Sequence, residues 1–338
     1  MLGTWRFLLA AAVALSHVGV KPFGFHIGIA AVVAFYLISG YVVARLWLRL
    51  QGEPRPLFAF YRDRFLRIYP TYFSFLLTGV ALWWALEPDS YYLSAEPGLG
   101  DWLANLFVVP LNFFMWNGTD RFVFMPPAWS LAAELQFYLC LPFLLRAPRA
   151  VFAASLAVAA AAQLGLLPRE WFTYRLLPGV LHIFCAGALL GIAPDAVSRR
   201  RRATVLWCLY LGLGLVLWAA GGLFAHREPA LYVEGMLNVA PELLGGLLVG
   251  LPLLTWLAPL RGTPLDRRLG DLSYGVFLCH FQIYWLLAAA GLETSRALFL
   301  GGSVLFAAAA WWLVERPAQA YRYRLRRAAP RGQGGDSG

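Results

Sequence analysis

Residues 27–48 read IGIAAVVAFYLISGYVVARLWL. As a helix this stretch rises about 33 Å, enough to cross the roughly 30 Å of hydrocarbon in a bilayer. Its single charge, Arg45, stands near one end. Comparable apolar stretches lie at 4–20, 66–86, 128–146, 150–167, 176–193, 204–224, 234–258, 272–290 and 296–314. The composition agrees, with 60% hydrophobic and 14% charged residues and a mean hydropathy of +0.62. These values exclude an ordinary soluble domain. The fold expected is an all-α polytopic membrane protein with about ten transmembrane helices, because helices satisfy their own backbone groups inside lipid.

Arginine placement gives an orientation, since cytoplasmic loops retain an excess of Lys and Arg. With the N-terminus inside, the inner loops collect Arg55, Arg62, Arg64 and Arg67, then Arg146 and Arg149, Arg199 to Arg202, and Arg261, Arg267 and Arg268. The outer loops keep only Lys21, Arg121, Arg169, Arg175, Arg227 and Arg296. Both termini are therefore expected in the cytoplasm. The net charge of +10 follows leaflet topology and anionic lipid headgroups, so no nucleic acid is expected as a partner. The start of the chain imitates a signal peptide ending in "ALSH", yet the charge asymmetry works best when the first span is retained. Cys140, Cys185, Cys208 and Cys279 fall inside spans without metal-ligand spacing and read as small core hydrophobes; no metal site is expected. One membrane domain is expected over 1–318, followed at 319–338 by a basic cytoplasmic tail whose composition reads as disordered. Residues 87–127 form an outer segment between spans.

Ionisable residues within spans carry the functional information, because they usually face a bundle interior or a water-filled cavity. Arg6 and His17 are separated by about 1100° of helical rotation, three turns plus about 20°, and share one face. They read either as an anchor and an end cap or as two groups on one path. In YRDRFLRIYP (61–70), Arg64 and Arg67 stand on one side of the third helix; their guanidiniums suit phosphates, or serve as positive-inside anchors. In FMPPAWSLAAELQFYLCLP (124–142), prolines mark a helix start, after which Ser130, Glu134 and Tyr138 recur at every fourth residue. Glu134 thus lies about two turns inside the outer surface, where a carboxylate must be protonated, paired or hydrated. The alternative is a structural hydrogen bond. Glu242 raises the same question and reads as structural. His182 and His280 read as interhelical hydrogen-bonding groups, and His26 as a solvated residue near a helix end.

Together these pieces resemble the acyltransferase-3 membrane proteins. The resemblance runs from Arg6 to about Pro317 and rests on the Arg6 and His17 spacing, AFYLISGYVV (34–43), RFLRIYP (64–70), WSLAAELQFYL (129–139), LSYGVFLCH (272–280) and ERP (315–317). Departures are small: Phe35-Tyr36 stands where the family often has Phe-Phe, and Phe277 where it has Tyr. The chain also ends without the extracytoplasmic hydrolase-like domain that some members append, so any second transfer step is expected to use another protein.

The resemblance implies a membrane O-acyltransferase that moves an acyl group, acetyl foremost, from cytoplasmic acyl-CoA to a hydroxyl of an extracytoplasmic or membrane-linked carbohydrate. It implies functional roles for Arg6 and His17; Glu134 is expected to be catalytic beside His17, steadying the imidazole as carboxylates do in acyl-transfer triads. Donor and substrate contacts are expected from Arg6, Arg64, Arg67, Trp129, Ser130 and Tyr138, with Arg64 and Arg67 beside the CoA phosphates. Acyl-CoA is expected as co-substrate, with no permanently bound cofactor, in a multi-pass protein of the bacterial inner membrane. At His17 a general base and an acyl-imidazole nucleophile are both open. A transporter or flippase is the competing reading; a structural scaffold leaves Arg6, His17 and Glu134 without purpose.

Overall fold

The computed structural model describes residues 1–225, 237–292 and 295–328. Among these the regular structure is helical, without strands. The helices are α1 (Leu2–His17), α2 (Ile27–Leu50), α3 (Pro56–Leu86), α4 (Leu99–Phe107), α5 (Phe114–Asn117), α6 (Ala128–Leu144), α7 (Pro148–Gln163), α8 (Leu177–Gly191), α9 (Ala196–Ala219), α10 (Ala240–Leu257), α11 (Pro264–Ala289), α12 (Arg296–Ala310) and α13 (Arg316–Ala328). Among the described residues, seven segments are long and apolar enough to cross a membrane: α2, α3, α8 with its preceding turn, α9, α10, α11, and α12 with its continuation. The other three expected spans fall on α1, α6 and α7, which have 16, 17 and 16 residues. This is a multi-pass membrane protein.

The outer surface is apolar where a soluble protein would be polar. Leu77 is 71% and Trp84 82% exposed, and Leu8, Val205 and Leu305 also face outward. Lipid gives such side chains no reason to turn inward, so the helices are held by close packing rather than by burial from water. Small residues provide it. A Cβ on Gly40 of α2 would lie 2.0 Å from the Phe184 carbonyl oxygen of α8, and one on Gly187 would lie 2.0 Å from that of Leu37. The α1–α11 crossing is as tight, because a Cβ on Gly3 would lie 1.9 Å from the Asp266 carbonyl oxygen. α1 packs against α2 and α11; α2 also packs against α8 and α10, and α11 against α12.

The 87–127 segment is folded by two buried asparagines. The Asn105 amide donates to the carbonyls of Asp101 and Phe122, both at 2.9 Å, while its oxygen accepts from the Phe124 N–H at 3.1 Å. Asn112 donates to the carbonyls of Trp129 (3.2 Å) and Arg175 (3.1 Å) and accepts from Gln136 (2.9 Å). Each amide replaces the water that loop backbone would otherwise need. This ties the segment to α6 and to the turn that precedes α8.

The expected tail is corrected over part of its length. Residues 319–328 belong to α13, which joins α12 through a π-helical turn, Trp311–Glu315, and packs against α3. Composition alone missed this because α13 is polar, and it is held by tertiary contacts described below. Residues 329–338 lie outside the described residues.

Candidate functional site

Two cavities among the described residues are lined by the expected site residues. One, of about 750 Å³, opens among the C-terminal ends of α2 and α10 and the N-terminal parts of α3, α9 and α11, with α13 alongside. Its lining includes Arg6, Arg45, Arg49, Arg64, Arg67 and Arg199, so it is called the arginine cavity below. The second, of about 790 Å³, opens among the C-terminal end of α1, the starts of α2, α6 and α10, and the 87–127 segment. It contains His17 and is called the histidine cavity. The helix ends involved place the two at opposite ends of the bundle. Val32 of α2, Ser130 of α6 and Phe277 of α11 line both.

α1 connects them. Arg6 lines the arginine cavity and His17 the histidine cavity, as one helical face with an eleven-residue separation requires. The His17 ring stacks on His280 of α11, with centroids 5.3 Å apart, and meets the edge of Phe281 at 4.8 Å. His280 is fully buried; its Nδ1 lies 3.1 Å from the Val276 carbonyl of its own helix, and its Nε2 has no hydrogen-bond partner. It therefore does not make the interhelical bond expected of it. His182 does: its Nδ1 lies 2.7 Å from the Tyr210 hydroxyl of α9. His26 lines the mouth of the histidine cavity, and its backbone N–H donates to Glu242 at 3.3 Å.

Glu134 is not where its expected role requires it. Its carboxylate accepts from the Ser39 hydroxyl at 2.5 Å and from the Tyr138 hydroxyl, and it lines the arginine cavity, not the cavity of His17. Arg6 and Arg64 line the same cavity. The structure thus places Glu134 with Arg6 on one cavity and His17 on the other. The remaining expected residues divide between the cavities. Arg64, Arg67 and Tyr138 line the first, Trp129 the second, and Ser130 both. The Trp129 ring lies under the Arg175 guanidinium at 4.8 Å and meets Tyr174 at 5.0 Å.

Carboxylates hold the Arg64 and Arg67 forks. Arg64 Nη2 donates to Asp63 at 2.5 Å, and its guanidinium lies 5.7 Å from the Tyr138 ring. Arg67 donates to Glu315, the last residue of the π turn. Glu315 also accepts from Gln319 at 2.7 Å and from Thr71 at 3.4 Å. Such turns often mark functional positions, and this one sets a carboxylate opposite α3. Glu315 and His280 are the residues that sequence reasoning left without roles. Glu315 opens ERP and His280 closes LSYGVFLCH, so the signal was present but unassigned.

Comparison with known proteins identifies the family. Residues 2–315 match the acyltransferase-3 family, described as an acyltransferase domain. The chain belongs to the acyltransferase-3 family. It is an acyltransferase, and the transport reading is set aside. It is 29% identical to the exopolysaccharide production protein ExoZ of Rhizobium meliloti over 87% of this chain and 90% of that protein. It is 28% identical to nodulation protein 10 of Rhizobium leguminosarum bv. viciae, covering 87% and 83%. Against the peptidoglycan O-acetyltransferase OatA of Listeria monocytogenes it is 26% identical over 77% of this chain and 45% of that protein. No solved structure matches.

Proposed function

We propose that this acyltransferase-3 protein carries an acyl group, acetyl foremost, from cytoplasmic acyl-CoA through the bundle to a hydroxyl of an extracytoplasmic or membrane-linked carbohydrate. The observation that carries the reading is the pair of abutting cavities at opposite ends, one rich in arginine and one holding a histidine. A polyanionic nucleotide suits the first and a neutral, hydroxyl-bearing sugar the second. The relatives named for exopolysaccharide production and peptidoglycan O-acetylation support the acceptor class. In this reading α1, α6 and α7 join the seven longer segments as ten spans, both termini are cytoplasmic, and the membrane is the bacterial inner membrane. The domain is 1–318, with a basic cytoplasmic segment after it.

The chemistry assigned to the residues is acyl transfer at His17. As general base, its imidazole takes the proton from the attacking hydroxyl while the thioester bond breaks and the thiolate leaves. As nucleophile, the imidazole displaces the thiolate first, and the sugar oxygen then displaces the imidazole. Arg64 and Arg67 contribute donor binding, Arg6 and Glu134 the path between the cavities, and Trp129, Ser130 and Tyr138 substrate contacts. Purified protein given radiolabelled acetyl-CoA together with isolated cell-envelope glycans is expected to release CoA and label the glycans. Absence of any acyl transfer from acyl-CoA by folded protein would overturn the proposal.

The shared wall sets what passes. The Phe277 ring meets Phe35 of α2 edge-on at 5.9 Å, and the Ser130 hydroxyl is turned back to the Pro127 carbonyl at 3.0 Å. A slim pantetheine arm with a short acyl group fits such a partition better than a longer chain. Phe277→Ala is expected to raise the ratio of butyryl to acetyl turnover about tenfold, the scale on which one or two methylenes are sorted by an apolar wall. An unchanged ratio across a series of acyl-CoA chain lengths would remove this wall as the selector.

A further inference from the structure

The arginine cavity holds one arginine from outside the family-matched residues. Arg322 of α13 lines it and is only 6% exposed. Its Nε and Nη1 make no hydrogen bond. Asp63 Oδ1 stands 3.8 Å from Nε, near enough for attraction but too far for a hydrogen bond, and Asp63 already receives the fork of Arg64. Arg199 of α9 lines the same cavity, and its buried Nε also makes no hydrogen bond. By contrast, Arg67 donates to Glu315, and Arg45 donates to the Tyr41 hydroxyl at 3.0 Å.

A buried N–H left unbonded is costly, and more so on a charged group. Two guanidiniums from different helices line this cavity, each with such an atom, and together suit an anion with several acceptor oxygens. A phosphate meets that description, because its oxygens match the planar fork. α13 is also fixed in place for the purpose. Gln319, one turn before Arg322, donates to Glu315 at 2.7 Å and to Asp271 at 3.5 Å. The carboxylate that holds Arg67 therefore also holds the helix that presents Arg322, and Glu315, Gln319 and Arg322 follow the i, i+4, i+7 spacing of a single face.

We propose that Arg322 of α13 and Arg199 of α9 form a phosphate site in the arginine cavity, which takes a phosphate of the nucleotide half of the acyl-CoA donor. This rests on the donor reading above and extends the donor site into a helix beyond the family match at 2–315. Arg322 and Arg199 bind the phosphate, whereas Arg64 and Arg67 begin from carboxylate-held positions.

The test is calorimetric titration of CoA into the full chain in phosphatidylcholine nanodiscs, comparing wild type with Arg322→Gln, Arg322→Lys and Arg199→Gln. Loss of one charge-assisted phosphate contact is expected to weaken CoA binding about tenfold in each Gln variant, with partial recovery by Lys at 322. If Arg322→Gln fails to fold, Arg199→Gln carries the comparison. Wild-type CoA affinity in the folded Gln variants would overturn the phosphate site and leave the donor reading standing; no CoA binding by wild type would overturn both. A lipid headgroup offers the same phosphate chemistry, so a second arm adds phosphatidylglycerol to the nanodiscs. CoA affinity is expected to hold. Loss of CoA binding in wild type that Arg322→Gln escapes would show that the site takes lipid and would overturn its assignment to the donor.

Discussion

His17→Ala is expected to lower acyl transfer by at least about 10² to 10⁴-fold, the range supplied by acid–base catalysis alone, while the protein stays folded. The imidazole stands on a cavity wall rather than within the helix packing, and its neighbours His280 and Phe281 belong to the long helix α11. Its removal should widen the histidine cavity without unseating α1, which is held at its other end by the close approach of Gly3 to α11. CoA binding is expected to be unchanged, since the arginine cavity does not include this residue. Near-normal turnover by well-folded His17→Ala would remove His17 from the chemistry. Donor alone also separates the two mechanisms: an acyl-imidazole leaves transient label on wild-type protein that His17→Ala does not acquire, and a general base leaves none.

Glu134→Gln is expected to reduce transfer about 100-fold through Arg6, not through His17. Its carboxylate is the acceptor for Ser39 and Tyr138 and shares with Arg6 a cavity otherwise dominated by cations. Losing that charge leaves Arg6 uncompensated in a partly dry site, which is costly for a buried pair. CoA affinity should be kept or tightened, because a negative charge has been taken away from an anion site; the loss appears in turnover. Arg6→Gln is expected to lose a similar amount, and the double variant little more than either, since residues acting as one unit are strongly non-additive. Losses that multiply in the double variant, or full activity in Glu134→Gln, would show that the two do not work together.

The helices were legible because a long apolar run is a local property. Within the described residues each expected stretch overlaps a helix, and Arg6 and His17 both lie on α1, each lining one cavity. The pairing of Glu134 was not legible for a geometric reason. Helix boundaries give depth in the membrane, and Glu134 and His17 have compatible depths. Lateral position depends on which helices cross, and the Gly40 and Gly187 contacts that draw α2 against α8 show no pattern that fixes it in advance. The carboxylate then joins Ser39 and Tyr138 on the arginine side. α13 was hidden differently: low hydropathy reads as disorder, but Gln319 and Arg322 are contact residues for carboxylates on α3 and α11 and at the end of the π turn. His280 was visible as a membrane histidine, and only the fold shows that its ring lies against His17.

If donor and acceptor meet from opposite faces of the membrane, sealed vesicles of known orientation will show it directly. Radiolabelled acetyl-CoA added to inside-out vesicles, whose cytoplasmic face is exposed, should release CoA outside and place label on carbohydrate protected in the lumen. Sealed right-side-out vesicles should take up no label until they are permeabilised. Equal labelling by both preparations while sealed would contradict the account, because it would mean that donor and acceptor enter from the same side.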